Sequence, residues 1–146
     1  MEKLTLSYRF DASYSDDTLP RDDFGSLAVR IETKQFSGHG SFWVQWQDVV
    51  ELGEQLETFP ITAENPVTRQ WGYDTMTGDD VIIQLSIGPK NALGDLLVEA
   101  VIADQHAPSR RVSTSFRSGY PALKLFRRDI AAMMKMDKAE ATLVGY

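Results

Sequence analysis

The 146-residue chain has no cysteine and only two histidines, His39 and His106. The first absence removes thiol nucleophiles, disulfide frameworks, iron–sulfur ligation and every cysteine-based zinc site, and it fits a reducing compartment. No stretch approaches the ~20 consecutive apolar residues that a bilayer span requires, and Met1-Glu2-Lys3-Leu4 leads straight into alternating residues, which argues against a secretion signal. Positive charge is also scarce. A net charge of -6 argues against nonspecific attachment to nucleic acid or anionic membranes, both of which need a basic surface. No Gly-x-Gly-x-x-Gly, Walker-type loop or zinc-protease histidine pair occurs, so nothing calls for a nucleotide, a metal or another cofactor. What remains is the composition of an ordinary soluble domain, 42% apolar and 25% charged, long enough to bury a core unaided.

Period-two alternation dominates that composition, as expected of strands with one face on a core. Leu4, Leu6, Tyr8 and Phe10 form the first set, followed by Leu27, Val29 and Ile31, then Phe42, Val44 and Trp46. Gly38-His39-Gly40 reads as a hairpin turn before the third set. The period then changes to three and four at Val49, Leu52, Leu56 and Phe59, predicting a helix with an Asp48/Glu51 capping box that ends at Pro60. Val67, Arg69, Trp71 and Tyr73 return to strand spacing, with the Arg69 stem lying along a sheet edge.

The same order recurs. Strands are expected around Val81 to Ile87, Leu96 to Ile102 beyond a turn at Gly94, and Val112 to Phe116. A helix opened by Pro121 follows, with apolar positions Leu123, Phe126, Ile130 and Met133, and Leu143-Val144 makes a final short strand. Phe42, Trp46, Val49, Leu52, Leu56 and Phe59 lie 74 residues before Phe116, Tyr120, Leu123, Phe126, Ile130 and Met133. Gly72-Tyr73 and Gly145-Tyr146 are 73 apart, so one gap reconciles the two series. Shared strand-then-helix spacing alone would produce part of this match; the register favours duplication. The expected fold is a single α+β domain over 1–146, mainly antiparallel, made of two βββαβ units at 1–73 and 79–146. Trp46, Trp71, Leu52, Phe126 and Ile130 are expected in its core. Trp43 has the opposite parity and points away from it.

Chemistry is harder to find. Each histidine falls in an expected loop, with no Gly-x-Ser-x-Gly elbow to suggest a triad, so both read as solvated loop residues. Asp16, Asp17, Asp22 and Asp23 crowd one connection that could collect oxygen ligands, but their spacing is not that of a calcium loop; solubilising charge accounts for them, as for Asp79-Asp80. Charge is uneven between the halves. Residues 1–80 hold 15 acids and 6 bases; residues 81–146 hold 6 acids and 9 bases, with Lys124, Arg127 and Arg128 on the second helix. One acidic and one mildly basic side would suit a protein partner, unless each half merely pairs its own charges.

The stretch Phe36-Ser37-Gly38-His39-Gly40-Ser41-Phe42-Trp43, followed by Asp48, Leu52, Gln55, Leu56 and Phe59, resembles small bacterial proteins that include WapI-type immunity proteins. The resemblance implies a cytoplasmic protein that binds and neutralises a cognate toxin, and it transfers no functional residue. The expectation is therefore a noncatalytic protein-binding module, with Trp43, Asp16, Asp17, Asp22, Asp23, Arg127 and Arg128 as the surface for its partner, a toxin domain in the immunity-like case. Two alternatives stand beside it: a self-associating structural or regulatory module, and a small-molecule site lined by Trp43, Trp71 and Tyr73.

Overall fold

The computed structural model describes residues 1–11, 23–73 and 80–146. Asp16, Asp17, Asp22 and Asp79 lie outside the described residues. The elements run β1 (Lys3–Phe10), β2 (Phe24–Glu32), β3 (Ser37–Gln45), α1 (Trp46–Gln55), β4 (Val67–Gly72), β5 (Val81–Pro89), β6 (Asp95–Asp104), β7 (Ala107–Gly119), α2 (Tyr120–Met134) and β8 (Glu140–Val144). This is βββαβ twice over. The two helices begin at Trp46 and Tyr120, 74 positions apart, in the register of the sequence match.

The strands form two four-stranded antiparallel sheets, ordered β3-β2-β1-β8 and β4-β5-β6-β7. Neither sheet belongs to one unit alone. Each takes three strands from one βββαβ unit and its fourth from the other: β8 pairs with β1, and β4 pairs with β5. The unit boundaries at 1–73 and 79–146 therefore mark a repeat of element order, and the two units are interlocked by an exchange of their last strands. A further link joins the sheets at their ends, where the buried Ser118 hydroxyl on β7 donates to the Val144 carbonyl at 2.7 Å and the Tyr146 N–H donates to the Arg117 carbonyl at 3.0 Å.

One core fills the space between the sheets and helices. Leu4, Leu6, Leu27, Val29 and Ile31 come from the first sheet, Ile83, Leu85, Val98 and Phe116 from the second, and Val49, Leu52, Leu123, Phe126 and Ile130 from the helices. Removing each such side chain from water is worth about 1.5–3 kcal/mol, and that burial is what orients both helices. Trp71, Leu52, Phe126 and Ile130 are buried as expected, whereas Trp46 opens α1 and is only half-buried against the core.

Three local expectations are corrected. Gly38-His39-Gly40 is not a turn but part of β3; the turn lies at 33–36, closed by Thr33 N–H to the Phe36 carbonyl at 2.7 Å. The glycines instead allow close packing. A Cβ on Gly40 would stand 2.6 Å from Ile102 Cγ2, and one on Gly38 would collide with Val112 Cγ1, so β3 crosses the β6–β7 pair only because both positions lack side chains. Asp48 does not cap α1. Gln45 is the N-cap residue, the Trp46 N–H donates to the Asp23 carbonyl at 2.9 Å, and Asp48 sits in the first turn, where its Oδ2 accepts from Trp71 Nε1 at 3.4 Å. Finally, Phe59 is 75% exposed while its counterpart Met133 is 2% exposed. α1 ends at Gln55 with Leu56 as its C-cap residue, so Phe59 lies beyond the helix, and its ring packs outside the core, edge-on against Tyr120.

Candidate functional site

The pairing of α1 with α2 creates an apolar cleft. The helices pack closely at Gly53, where a Cβ would lie 3.1 Å from Ile130 Cγ2. Around that contact lies a cleft of about 430 Å³. Trp46 and Val50 from α1, and Ile130 and Met134 from α2, form its floor, and the exposed Ala131 borders it. Glu54 and Glu57 stand on one wall; Arg127, Arg128 and Lys135 stand on the other.

This division of charge follows from the sequences of the two helices. Asp48, Glu51 and Glu54 are the only charged residues of α1. Lys124, Arg127 and Arg128 outnumber the single acid of α2, Asp129, whose Oδ1 accepts from Lys138 Nζ at 2.8 Å. Glu51 is likewise engaged, 3.3 Å from the Arg69 guanidinium, which also donates to Gln55 Oε1 at 3.0 Å and ties edge strand β4 to α1. In contrast, Glu54, Glu57, Arg127, Arg128 and Lys135 make no side-chain ion pair among the described residues. An object entering the cleft thus meets an apolar floor between two walls of opposite, uncommitted charge.

The expected surface residues separate in the structure. Arg127 and Arg128 line the cleft. Asp23 lies at the start of α1, its carbonyl bonded to Trp46 and its Oδ1 accepting from Gln47 Nε2 at 3.4 Å, which places a carboxylate at the positive end of the helix. Trp43 is 48% exposed on the outer face of its sheet, opposite Ser26, and is not part of the cleft. The aromatic trio also disperses. Tyr73 packs edge-on against Phe42 with ring centroids 5.3 Å apart, Phe42 and Trp43 point to opposite faces of β3, and Trp71 is buried with its indole N–H turned to Asp48. Those three rings build no common pocket.

Sequence reading missed Val50, Gly53, Glu54, Glu57, Ala131, Met134 and Lys135. A signal for one of them, Glu54, was present. At the 74-residue offset Glu54 matches Arg128, so equivalent positions of the two helices carry opposite charge.

Compared with known proteins, the chain matches no family model and no curated protein. Its function rests on geometry. No described helix is long and apolar enough to cross a membrane.

Proposed function

We propose that this chain is a noncatalytic protein-binding module that seats an amphipathic segment of a partner protein between α1 and α2. The observation that supports the reading is the cleft itself, with its apolar floor and unpaired charges of both signs on opposing walls. Helix-in-groove recognition needs that combination: the floor takes an apolar stripe, and the walls fix direction and register through a basic side facing Glu54 and Glu57 and an acidic side facing Arg127, Arg128 and Lys135. Shape disfavours self-association through the same surface, because two concave clefts placed face to face leave a void rather than a packed interface. In the immunity-like form of this proposal the inserted segment belongs to a toxin domain, and the chain acts by occupying it.

A photo-crosslinking residue at Ala131, on the cleft wall, tests the reading in the native host, with a second at Ser115 on the exposed outer face of β7 as control. The expected result is one protein captured from Ala131, not from Ser115, and lost when Arg127→Glu and Arg128→Glu are combined. Capture that is equal at both positions, or indifferent to the charge reversal, overturns it.

A further inference from the structure

β7 ends the order β4-β5-β6-β7, and two hydrogen bonds show which of its backbone groups face away from the sheet. In an antiparallel ladder alternate residues bond to opposite sides. The Asp95 carbonyl on β6 accepts from the Lys90 N–H at 2.8 Å, so Leu97, Glu99 and Val101, of the same parity, bond toward β5. Their partners on β7, Arg117, Ser115 and Ser113, therefore turn their N–H and C=O groups away from β6. The end of the chain agrees: the Arg117 carbonyl accepts from the Tyr146 N–H at 3.0 Å on that outer side. Among the described residues no backbone group takes up Ser113 or Ser115 there. Sheets blunt exposed edges with charge, proline or a bulge. Val112-Ser113-Thr114-Ser115-Phe116 has neither charge nor proline, and the register shift of this hairpin lies nearer its turn, between Ala103 and Asp104.

The two faces beside this edge differ in chemistry. On the inner face β3 crosses at a slant, with Gly40 against Ile102 of β6 and Gly38 against Val112 of β7, one strand further out for two residues. Phe36 is the next position of that series, past β7, and it is 62% exposed. Arg111 belongs to the opposite face by strand alternation. Its guanidinium donates only to the Pro108 carbonyl at 3.1 Å and the Val81 carbonyl at 3.3 Å, which leave its charge uncancelled. β7 holds three arginines and no acid, and among the described residues only Arg117 has an ion pair, with Asp95 at 3.9 Å. Glu99 lies opposite Ser115, so the positive end of the edge is the one at Arg110 and Arg111.

We infer that the open edge of β7 takes up an extended segment of a partner protein as a fifth strand, with acidic side chains toward Arg111 and apolar ones toward Val112 and Phe36. Backbone bonds to Ser113 and Ser115 give such a strand its affinity, and the two faces select its alternating side chains. A second copy is disfavoured, because β7 against β7 sets arginines beside arginines. None of these edge residues lines the cleft between the helices, so a crosslinking residue at Ser115 meets this segment and not the one seated at Ala131.

Amide hydrogen exchange reads the edge residue by residue. In the free chain Ser113 and Ser115 should exchange fast beside slow Thr114 and Phe116, whose amides bond to β6. The probe is an acetylated peptide of about seven residues alternating valine and glutamate, enough to span Arg111 to Ser115. At saturation it should slow exchange at Ser113 and Ser115 at least about tenfold. The same peptide with lysine for glutamate should bind about tenfold more weakly, and one N-methylated at alternate residues should not bind. Phe36→Ser should weaken binding severalfold. Ser113→Pro removes no bond to β6, so the circular dichroism of the fold should persist while the peptide is lost. Slow exchange at Ser113 and Ser115 without peptide overturns the open edge, and protection that rises with protein concentration gives the edge to a second copy instead. Absence of peptide protection in the parent chain, or equal binding of the lysine peptide, overturns the proposal whatever the variants do.

Discussion

Gly53 on α1 faces Ile130 on α2 across the helix crossing, with room for a Cβ only 3.1 Å from Ile130 Cγ2. That contact is tight, since a side chain at position 53 requires Ile130 to give way by a few tenths of an ångström or more. Gly53→Val adds two methyl groups on a branched carbon at a buried position and is expected to cost about 1–3 kcal/mol through overpacking. Denaturant unfolding checks this: the midpoint should fall with an unchanged slope, and an unaltered midpoint would show that the crossing has slack.

Phe59 and Met133 occupy matching positions of the repeat but opposite environments, one exposed and the other in the core. Met133→Ala should therefore cost about 2–5 kcal/mol. Phe59→Ser should cost about 1 kcal/mol or less, the size of the edge-on contact that its ring makes with Tyr120 at 5.0 Å. Equal losses in thermal or chemical unfolding would mean that the repeat extends through position 59 after all.

These contrasts show how far the sequence could be read. Alternation at Leu4 to Tyr8 and at Ile83 to Ile87, and the three-four spacing from Leu123 to Ile130, revealed strand, helix and inward face directly, because one side of each element is buried and its neighbours are not. Pairing was invisible. Nothing in the pattern of Val67, Arg69 and Trp71 says that β4 joins β5 of the following unit, since a strand's periodicity reports its buried face and not its neighbour. Gly38 and Gly40 misled for a related reason: glycine serves both turns and close approaches, and only the position of Val112 and Ile102 decides between them. Arg127 and Arg128 were legible as a basic surface, but the acidic wall of Glu54 and Glu57 became part of the same site only once the helices were placed side by side.

The exchange of β4 and β8 makes each unit incomplete by one strand. A chain cut between residues 73 and 80 should give two fragments that lack stable structure separately, because each leaves the first strand of its sheet with an unpaired edge and the core open on one side. Mixed in equal amounts they should restore strand and helix signals by circular dichroism with 1:1 stoichiometry. A fragment that folds cooperatively alone would contradict the interlocked arrangement.

Ala131 offers the sharpest separation of binding from stability, because it is exposed on α2 and borders the interhelical cleft without entering the core. Ala131→Gln replaces a methyl group with a longer neutral side chain that is itself a good helix former, so its effect on folding should stay within about 0.5 kcal/mol. The added bulk projects into the space that a partner segment would occupy. Binding of the crosslinked partner, measured by calorimetry with the purified pair, should weaken at least about tenfold, the loss of roughly 1.4 kcal/mol of interface packing. Arg128→Glu should weaken it too, by an amount that shrinks as salt is raised, because its contribution is electrostatic and screened at the surface. A partner that binds Ala131→Gln as tightly as the parent chain docks elsewhere, and the cleft would then not be the docking site.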